Sequence, residues 1–280
     1  MTGAAAPAGR PRLGLAQLSL VGTAPPDLVL VAAGAGFDFI GVRVRPVTPA
    51  ERPYDLSPGS PLLLATLARL RDTGVVVRDI EFLLLDGTDQ REAWLRMMEA
   101  GQALGATSLT VACADEDTAR AADTLARMTE DGRAFGVVPT LEPISYQAVR
   151  SVPAAAELAR RAGCRIVLDA LHFHRGGGTS EQLREHAGVV EMLQLCDGPA
   201  RRPATREDLV HESRAERGIP GEGELDLPAL VAALPPDVPV SVETPSERHL
   251  AELGEQGWAR RLHDAAQAVL ARAGRPGDTA

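Results

Sequence analysis

Eight short apolar runs alternate with longer segments of mixed character along the chain. Short, nearly continuous apolar runs are typical of strands that a parallel sheet buries on both faces. The predicted strands are 13–18, 37–44, 75–83, 108–112, 135–141, 164–168, 189–195 and 238–242. The segments between them are rich in Ala, Leu, Arg and Glu at helical spacing and predict helices, among them 61–72, 90–104, 116–131, 146–162 and 248–272.

The regular alternation of strand and helix predicts an α/β protein with a parallel sheet. Glycines favour helix C-caps, and four of them stand shortly before a predicted strand: Gly74, Gly105, Gly132 and Gly163. Eight such units in this length favour a single (β/α)8 TIM barrel over residues 12–273, with flexible tails at 1–11 and 274–280. The rival fold, an open doubly wound sheet, usually carries a GxGxxG loop after the first strand, and the sequence has none there.

Composition narrows the choice of partners. A net charge of −9 argues against nucleic acid or an anionic membrane as the main partner and favours a small-molecule substrate. No apolar run approaches the length of a membrane span. The three cysteines, Cys113, Cys164 and Cys196, have no paired spacing and suit reduced, buried thiols, so we expect a cytoplasmic protein.

The chain contains no lysine, so all 29 basic residues are arginines. Schiff-base and pyridoxal-phosphate chemistry both need a lysine amine, and the absence excludes both. It also excludes a GxxxxGK phosphate-binding loop.

Four residues able to bind a metal follow or close four successive predicted strands in the second half of the chain. They are Glu142, Asp169, Gln194 and Glu243. The C-terminal ends of the strands of a parallel barrel converge on one face, so we expect these side chains to meet. Three carboxylates gathered there would repel one another unless a cation neutralised them. An oxygen-rich set of this kind favours one divalent ion: Mn²⁺, Mg²⁺ or Co²⁺.

Such a site predicts a particular chemistry. Four protein ligands leave room in an octahedral shell for two oxygens of a hydroxy-ketone. The metal would lower the pKa of the proton beside the carbonyl by stabilising the enediolate, and a nearby carboxylate could move that proton.

Several segments resemble the xylose-isomerase-like TIM barrels, a family that includes sugar isomerases and epimerases. The resemblance covers roughly residues 13–270, and its best segments are TLEP, VLDALHFHR, MLQLCDGP, RGIPGEGELDLPALVAAL and VSVETPS. It implies that Glu142, Asp169, Gln194 and Glu243 are the metal ligands, and that Glu142 and Glu243 also act as the acid/base pair.

The resemblance also implies residues that bind the substrate. His172 matches the histidine of the family's DxxH motif, which contacts substrate oxygens. An arginine after strand seven often completes the family's substrate site, and Arg201, Arg202 and Arg217 compete for that role. The habit of the family suggests a homo-oligomer.

One departure leaves the reaction open. Many epimerases of the family have histidine where this chain has Gln194, whereas the glutamine form is similar to bacterial 3-dehydroshikimate dehydratases. Three hypotheses follow: a sugar isomerase or epimerase, a dehydratase of a cyclic hydroxy-ketone, and a metal-binding barrel without turnover. The family's endonucleases usually carry several more histidine ligands, and this chain has only six histidines and an acidic net charge.

Two further regions bear on the substrate site. Asp79 and Glu81, near the end of strand three, either reach the pocket or cap a helix. The long charged connection from 196 to about 223 directly follows strand seven, and we expect it to form a lid or a wall of the pocket.

Overall fold

A computed structural model describes residues 13–49 and 51–275 of the chain. Its eight parallel strands close into one barrel in sequence order, and the last strand pairs with the first. The strands are β1 (Leu13–Leu15), β2 (Phe39–Arg43), β3 (Val76–Leu85), β4 (Ser108–Cys113), β5 (Val138–Glu142), β6 (Arg165–Asp169), β7 (Val190–Leu195) and β8 (Val240–Val242). The prediction of a single (β/α)8 barrel is therefore confirmed.

Helices follow the strands and pack around the barrel. Within the described ranges they are α1 (Pro25–Ala35), α2 (Pro61–Thr73), α3 (Arg91–Leu104), α4 (Thr118–Gly132), α5 (Val152–Ala162), α6 (Ala170–Arg175), α7 (Ser180–His186), α8 (Arg206–Ala215), α9 (Leu227–Ala232) and α10 (Glu247–Arg272). Apolar side chains between strands and helices form the main core, which includes the buried Trp94 and Trp258.

The glycines near the helix ends divide into two groups. Gly74, Gly105 and Gly163 adopt left-handed conformations as C-caps of α2, α3 and α5, as the sequence predicts. Gly132 is instead the last residue of α4. A β-carbon at this position would lie 2.1 Å from the carbonyl oxygen of Val137, so Gly132 permits a close approach of backbone segments.

Two of the differences between predicted and observed boundaries lie beside the barrel mouth. Strand β1 ends at Leu15, and Gln17–Leu20 forms a 3-10 turn. The predicted helix at 146–162 begins only at Val152, where Pro153 stands in its first turn. The preceding loop is held by backbone hydrogen bonds, from the N–H of Val149 to the carbonyl oxygen of Cys113 at 3.2 Å among others.

The interior of the barrel changes from apolar to polar along the strands. Phe39, Val167 and Met192 form a small apolar cluster of their own. Side chains two residues apart on a strand lie on the same face. Counting two residues toward the C-terminal end from Val167 and Met192 therefore places Asp169 and Gln194 in the barrel above that cluster.

The tail predicted at 1–11 lies outside the described residues, and so does all of the tail predicted at 274–280 except Gly274 and Arg275. Within residues 13–49 and 51–275, no helix is both long enough and apolar enough to cross a membrane.

Candidate metal centre and active site

The four predicted ligands meet at the C-terminal mouth of the barrel. Glu142 and Asp169 end β5 and β6, Gln194 lies near the end of β7, and Glu243 directly follows β8. Asp169 pairs in register with Gln194 on the neighbouring strand. All four residues are at most 5% exposed.

Gln194 is hydrogen-bonded to Glu243, and Arg217 connects Glu243 to Asp169. The Gln194 side chain donates from Nε2 to Oε1 of Glu243 at 2.9 Å. Nη1 of Arg217 donates to Oδ2 of Asp169 at 2.5 Å and lies 3.0 Å from Oε2 of Glu243. The backbone also fixes this guanidinium, because it donates from Nε to the carbonyl oxygen of Ser213 at 2.8 Å.

His172 forms one edge of the cluster. Its backbone N–H donates to Oδ1 of Asp169 at 2.8 Å, so that Asp169 caps helix α6. Its ring nitrogen Nδ1 lies 3.2 Å from Oγ of Ser145, and Nε2 lies 3.9 Å from Oε1 of Glu142. Potential ligand atoms of Glu142, Asp169 and His172 all lie within 4.8 Å of one another. His172, predicted as a substrate contact, is therefore also placed to bind a metal.

The cluster carries more negative charge than Arg217 neutralises. Burial, together with the charges of Glu243 and Asp169, raises the pKa of Glu142 well above its usual value. Burial also raises the pKa of Glu243, to about 7. Burial acts on Asp169 in the same direction, but Arg217 and His172 outweigh it and lower the pKa of that carboxyl. Burial lowers the pKa of His172 to about 4, so its ring is neutral.

These observations fit a divalent cation. When all three carboxyl groups are ionised, they and the guanidinium leave two negative charges, which a divalent ion would balance. The buried amide oxygen Oε1 of Gln194 accepts no hydrogen bond from any residue in the described ranges, and it is a suitable neutral ligand.

The three competing arginines occupy different places. Arg217 lies in the cluster and is 4% exposed. Arg201 and Arg202 are exposed, and Arg202 donates from Nε to the carbonyl oxygen of Arg175 at 2.8 Å. The structure therefore brings only Arg217, of these three, to the predicted ligands.

A cavity of about 650 Å³ opens above the cluster. In addition to residues of the cluster, the wall of the cavity includes Arg43 on β2, Glu81 on β3, Thr110 on β4 and Tyr146 in the loop after β5. Arg43, Thr110 and Tyr146 have no distinctive signal in the sequence, because one such side chain in or after an apolar run is common. The stretch RDIEF gave a usable signal for Asp79 and Glu81, since two acids spaced two residues apart on a buried strand share one face.

The long connection after β7 forms a wall of this cavity, as expected. Ser213, Arg214 and Arg217 from this segment line the cavity. The buried carboxylate of Asp197 organises the connection by accepting backbone N–H donations from Gly198, Gly221 and Leu225. The hydroxyls of Tyr146 and Ser213, 2.9 Å apart, tie helix α8 to the loop after β5.

The family of the chain follows from comparison with known proteins. A family model described as the xylose isomerase-like TIM barrel matches residues 29–269. The chain therefore belongs to the xylose isomerase-like TIM barrel family. The comparison with curated proteins gives no significant match.

Solved structures share the fold at low sequence identity. The IolI protein with a bound zinc atom has a TM-score of 0.75 and 19% identity, over 94% of this chain and 99% of that one. An L-ribulose 3-epimerase has a TM-score of 0.70 and 16% identity, over 95% of this chain and 96% of that one. The probable 3-DHS dehydratase AsbF from Bacillus anthracis has a TM-score of 0.70 and 14% identity, over 90% and 97%. At these identities the likeness concerns the fold and does not identify the reaction.

Proposed function

We propose that this protein is a divalent-metal-dependent enzyme acting on a small hydroxy-carbonyl compound, in the manner of a sugar isomerase or epimerase. In this proposal it removes and returns a proton at the carbon beside the carbonyl group. The observation that carries the proposal is the pair of buried glutamates, Glu142 and Glu243, which border one donor set and both have raised pKa values. A carboxyl group with a pKa near neutrality can both accept and release a proton at working pH.

The donor set suits a hard or borderline cation. Glu142, Asp169, Gln194 and Glu243 would hold Mn²⁺, Mg²⁺ or Co²⁺, and His172 offers a nitrogen at the edge of the set. When bound, the ion supplies Lewis acidity that makes a proton beside a carbonyl easier to remove.

The protein side chains divide the remaining work. Glu142 and Glu243 approach from β5 and β8, so a substrate between them meets a carboxyl group on two sides. One can take the proton while the other returns one. Gln194 and Arg217 hold Glu243 in a fixed orientation, and the low pKa of Asp169 keeps that carboxylate charged.

A second candidate is a dehydratase of a cyclic hydroxy-ketone, and the residue that favours it is Gln194. An amide oxygen donates less electron density than imidazole, which leaves a bound cation a stronger Lewis acid. The reaction would begin with the same proton removal. The C–O bond to a neighbouring hydroxyl group would then break, and the hydroxide would leave with a proton as water.

The experiment starts with metal analysis of the purified chain, followed by incubation with Mn²⁺ and candidate substrates in deuterated water. Deuterium beside the carbonyl together with a new sugar in the NMR spectrum supports the isomerase. A conjugated or aromatic product with new ultraviolet absorbance supports the dehydratase. Metal binding without exchange or product would support a non-catalytic barrel.

The acid/base assignment is tested with Glu142→Gln and Glu243→Gln, each of which keeps the shape of the side chain. Both should abolish exchange, with the metal content of each variant measured separately because both residues are proposed ligands. Glu116→Gln, at an exposed position, is the control. Undiminished exchange in both site variants would contradict the assignment.

A further inference from the structure

Three neighbouring strands carry a row of polar side chains on the side of the barrel opposite the metal cluster. Arg43 on β2 pairs in register with Glu81 on β3, and Glu81 pairs with Thr110 on β4. In the closed barrel, β2, β3 and β4 lie across from β6, β7 and β8. The row therefore faces Gln194 and Glu243 across the cavity, which it also lines.

Two members of the row, Glu81 and Thr110, have an unused hydrogen-bonding atom. The three residues are at most 9% exposed. Oε1 of Glu81 and Oγ1 of Thr110 are buried and form no hydrogen bond with any residue that the structure describes. Buried polar atoms are nearly always satisfied, so two of them on neighbouring strands of a cavity wall indicate a ligand.

The charge of the row disfavours an anion. Arg43 is already engaged by Glu51, because its Nη1 donates to both carboxylate oxygens at 3.0 Å. Its Nε also lies 3.4 Å from Oε2 of Glu81. With two carboxylates beside one guanidinium, the row has no positive charge left for a phosphate or a carboxylate.

Gly41 makes room for this arrangement. A β-carbon at position 41 would lie 2.6 Å from Oε1 of Glu81 and 2.9 Å from Oδ2 of Asp79. The buried acids of β3 therefore occupy the space that a side chain at position 41 would fill. Their carboxyl groups also place further negative charge below the row.

We infer that Arg43, Glu81 and Thr110 form a distal subsite that binds uncharged hydroxyl groups of the substrate. A hydroxyl group both donates and accepts, which matches the acceptor oxygen of Glu81 and the hydroxyl group of Thr110, whereas an ammonium group offers donors alone. The inference rests on the proposed function, in which the carbonyl end of the substrate lies at the metal cluster. It narrows the substrate class to polyhydroxy ketones that carry no phosphate or carboxylate at the far end.

The test is calorimetric titration of the Mn²⁺-loaded full chain with D-fructose, D-ribulose, D-fructose 6-phosphate and D-ribulose 5-phosphate. At least one ketose should bind about tenfold or more tightly than its phosphate ester, a ratio that corresponds to one unfavourable charge contact. Glu81→Gln should weaken binding of the ketose about tenfold and bring the two affinities closer together, because it removes both a charged acceptor and the repulsion.

Thr110 offers a matched pair of variants. Thr110→Val removes a buried hydroxyl group that has no partner among the described residues and keeps the shape, so it should fold and bind Mn²⁺ like the wild type. It should weaken ketose binding about threefold to tenfold, whereas Thr110→Ser, which keeps the hydroxyl group, should stay near wild type.

The outcomes distinguish a failure of the proposed function from a failure of the subsite alone. If the wild-type chain does not bind Mn²⁺, the proposed function is wrong and the subsite falls with it. If Mn²⁺ binds, the subsite alone is overturned by any of three results: no ketose binds, the phosphate esters bind more tightly, or Glu81→Gln and Thr110→Val leave the affinities unchanged.

Discussion

Gln194 donates its side-chain N–H to Glu243 across neighbouring strands, with 2.9 Å between Nε2 and Oε1. The bond settles which end of the amide faces the cluster, because the nitrogen is used by Glu243 and the oxygen is left for another partner. It also screens Glu243 without adding a charge. Gln194 is therefore more than a neutral substitute for a histidine ligand, since it also orients the carboxylate proposed to move the proton.

Gln194→Glu should make the fold depend on metal. The variant replaces the hydrogen bond by a fourth buried carboxylate facing Glu243, and we expect a loss of about 2–4 kcal/mol of stability in EDTA. Mn²⁺ should restore most of it, because the added charge strengthens the cation site. Denaturation with and without Mn²⁺ measures both effects. A metal-induced gain no larger than that of the wild type would show that residue 194 does not face the ion.

Arg217→Met should be among the most destabilising single changes in the cluster. It leaves the buried carboxylates of Asp169 and Glu243 without their guanidinium, and breaking a buried pair in this way costs about 3–5 kcal/mol. Arg201→Met, at an exposed position of the same connection, should change stability by no more than about 0.5 kcal/mol. Urea denaturation of both variants checks the contrast. Equal effects would mean that the ion pairs of Arg217 contribute little.

The barrel and the convergence of the four predicted ligands at its mouth could be predicted from the sequence, because both depend on local pattern. Glu142 and Asp169 stand at the ends of apolar strands, and the C-terminal convergence of parallel strands brings them together whatever the loops do. For Asp79 and Glu81 the sequence left two possibilities open, a place in the pocket or a helix cap. The structure places both inside β3.

What the sequence did not predict depends on long-range register and on loop paths. Arg43, Glu81 and Thr110 become one row only because β2, β3 and β4 pair at those positions. The choice of Arg217 over Arg201 and Arg202 depends on where the connection after β7 re-enters the barrel mouth, and no local signal in the sequence encodes that path.

The buried acids of β3 should make stability depend on pH. Burial raises the pKa of Glu81 to about 7, above its ordinary value of 4.5. The folded state therefore binds more protons between these values, so the stability contributed by Glu81 is present at low pH and is lost as pH rises toward 7. His172, whose pKa is lowered to about 4, acts in the opposite direction. Comparing the wild type with a variant of Glu81 separates the contribution of Glu81 from that of His172.

Glu81→Gln provides that difference, because every other titrating group is common to both proteins. The stability of the wild type relative to the variant should fall as pH rises from about 4.5 to about 7, by about 3 kcal/mol, and then level off. Urea denaturation in EDTA over this range measures it. A constant difference across the range would show that Glu81 titrates normally and is not buried as described.

The contact between Tyr146 and Ser213 should hold helix α8 over the cavity. Their hydroxyls lie 2.9 Å apart, and they connect the loop after β5 to the helix that precedes Arg217. Tyr146→Phe and Ser213→Ala should each cost about 0.5–1.5 kcal/mol, and the double variant should cost less than the sum because both remove the same bond. Hydrogen exchange of residues 206–215 should accelerate in each single variant while α4, on the far side of the barrel, keeps its wild-type rates. Additive costs, with exchange in 206–215 unchanged, would mean that packing rather than this bond holds the helix in place.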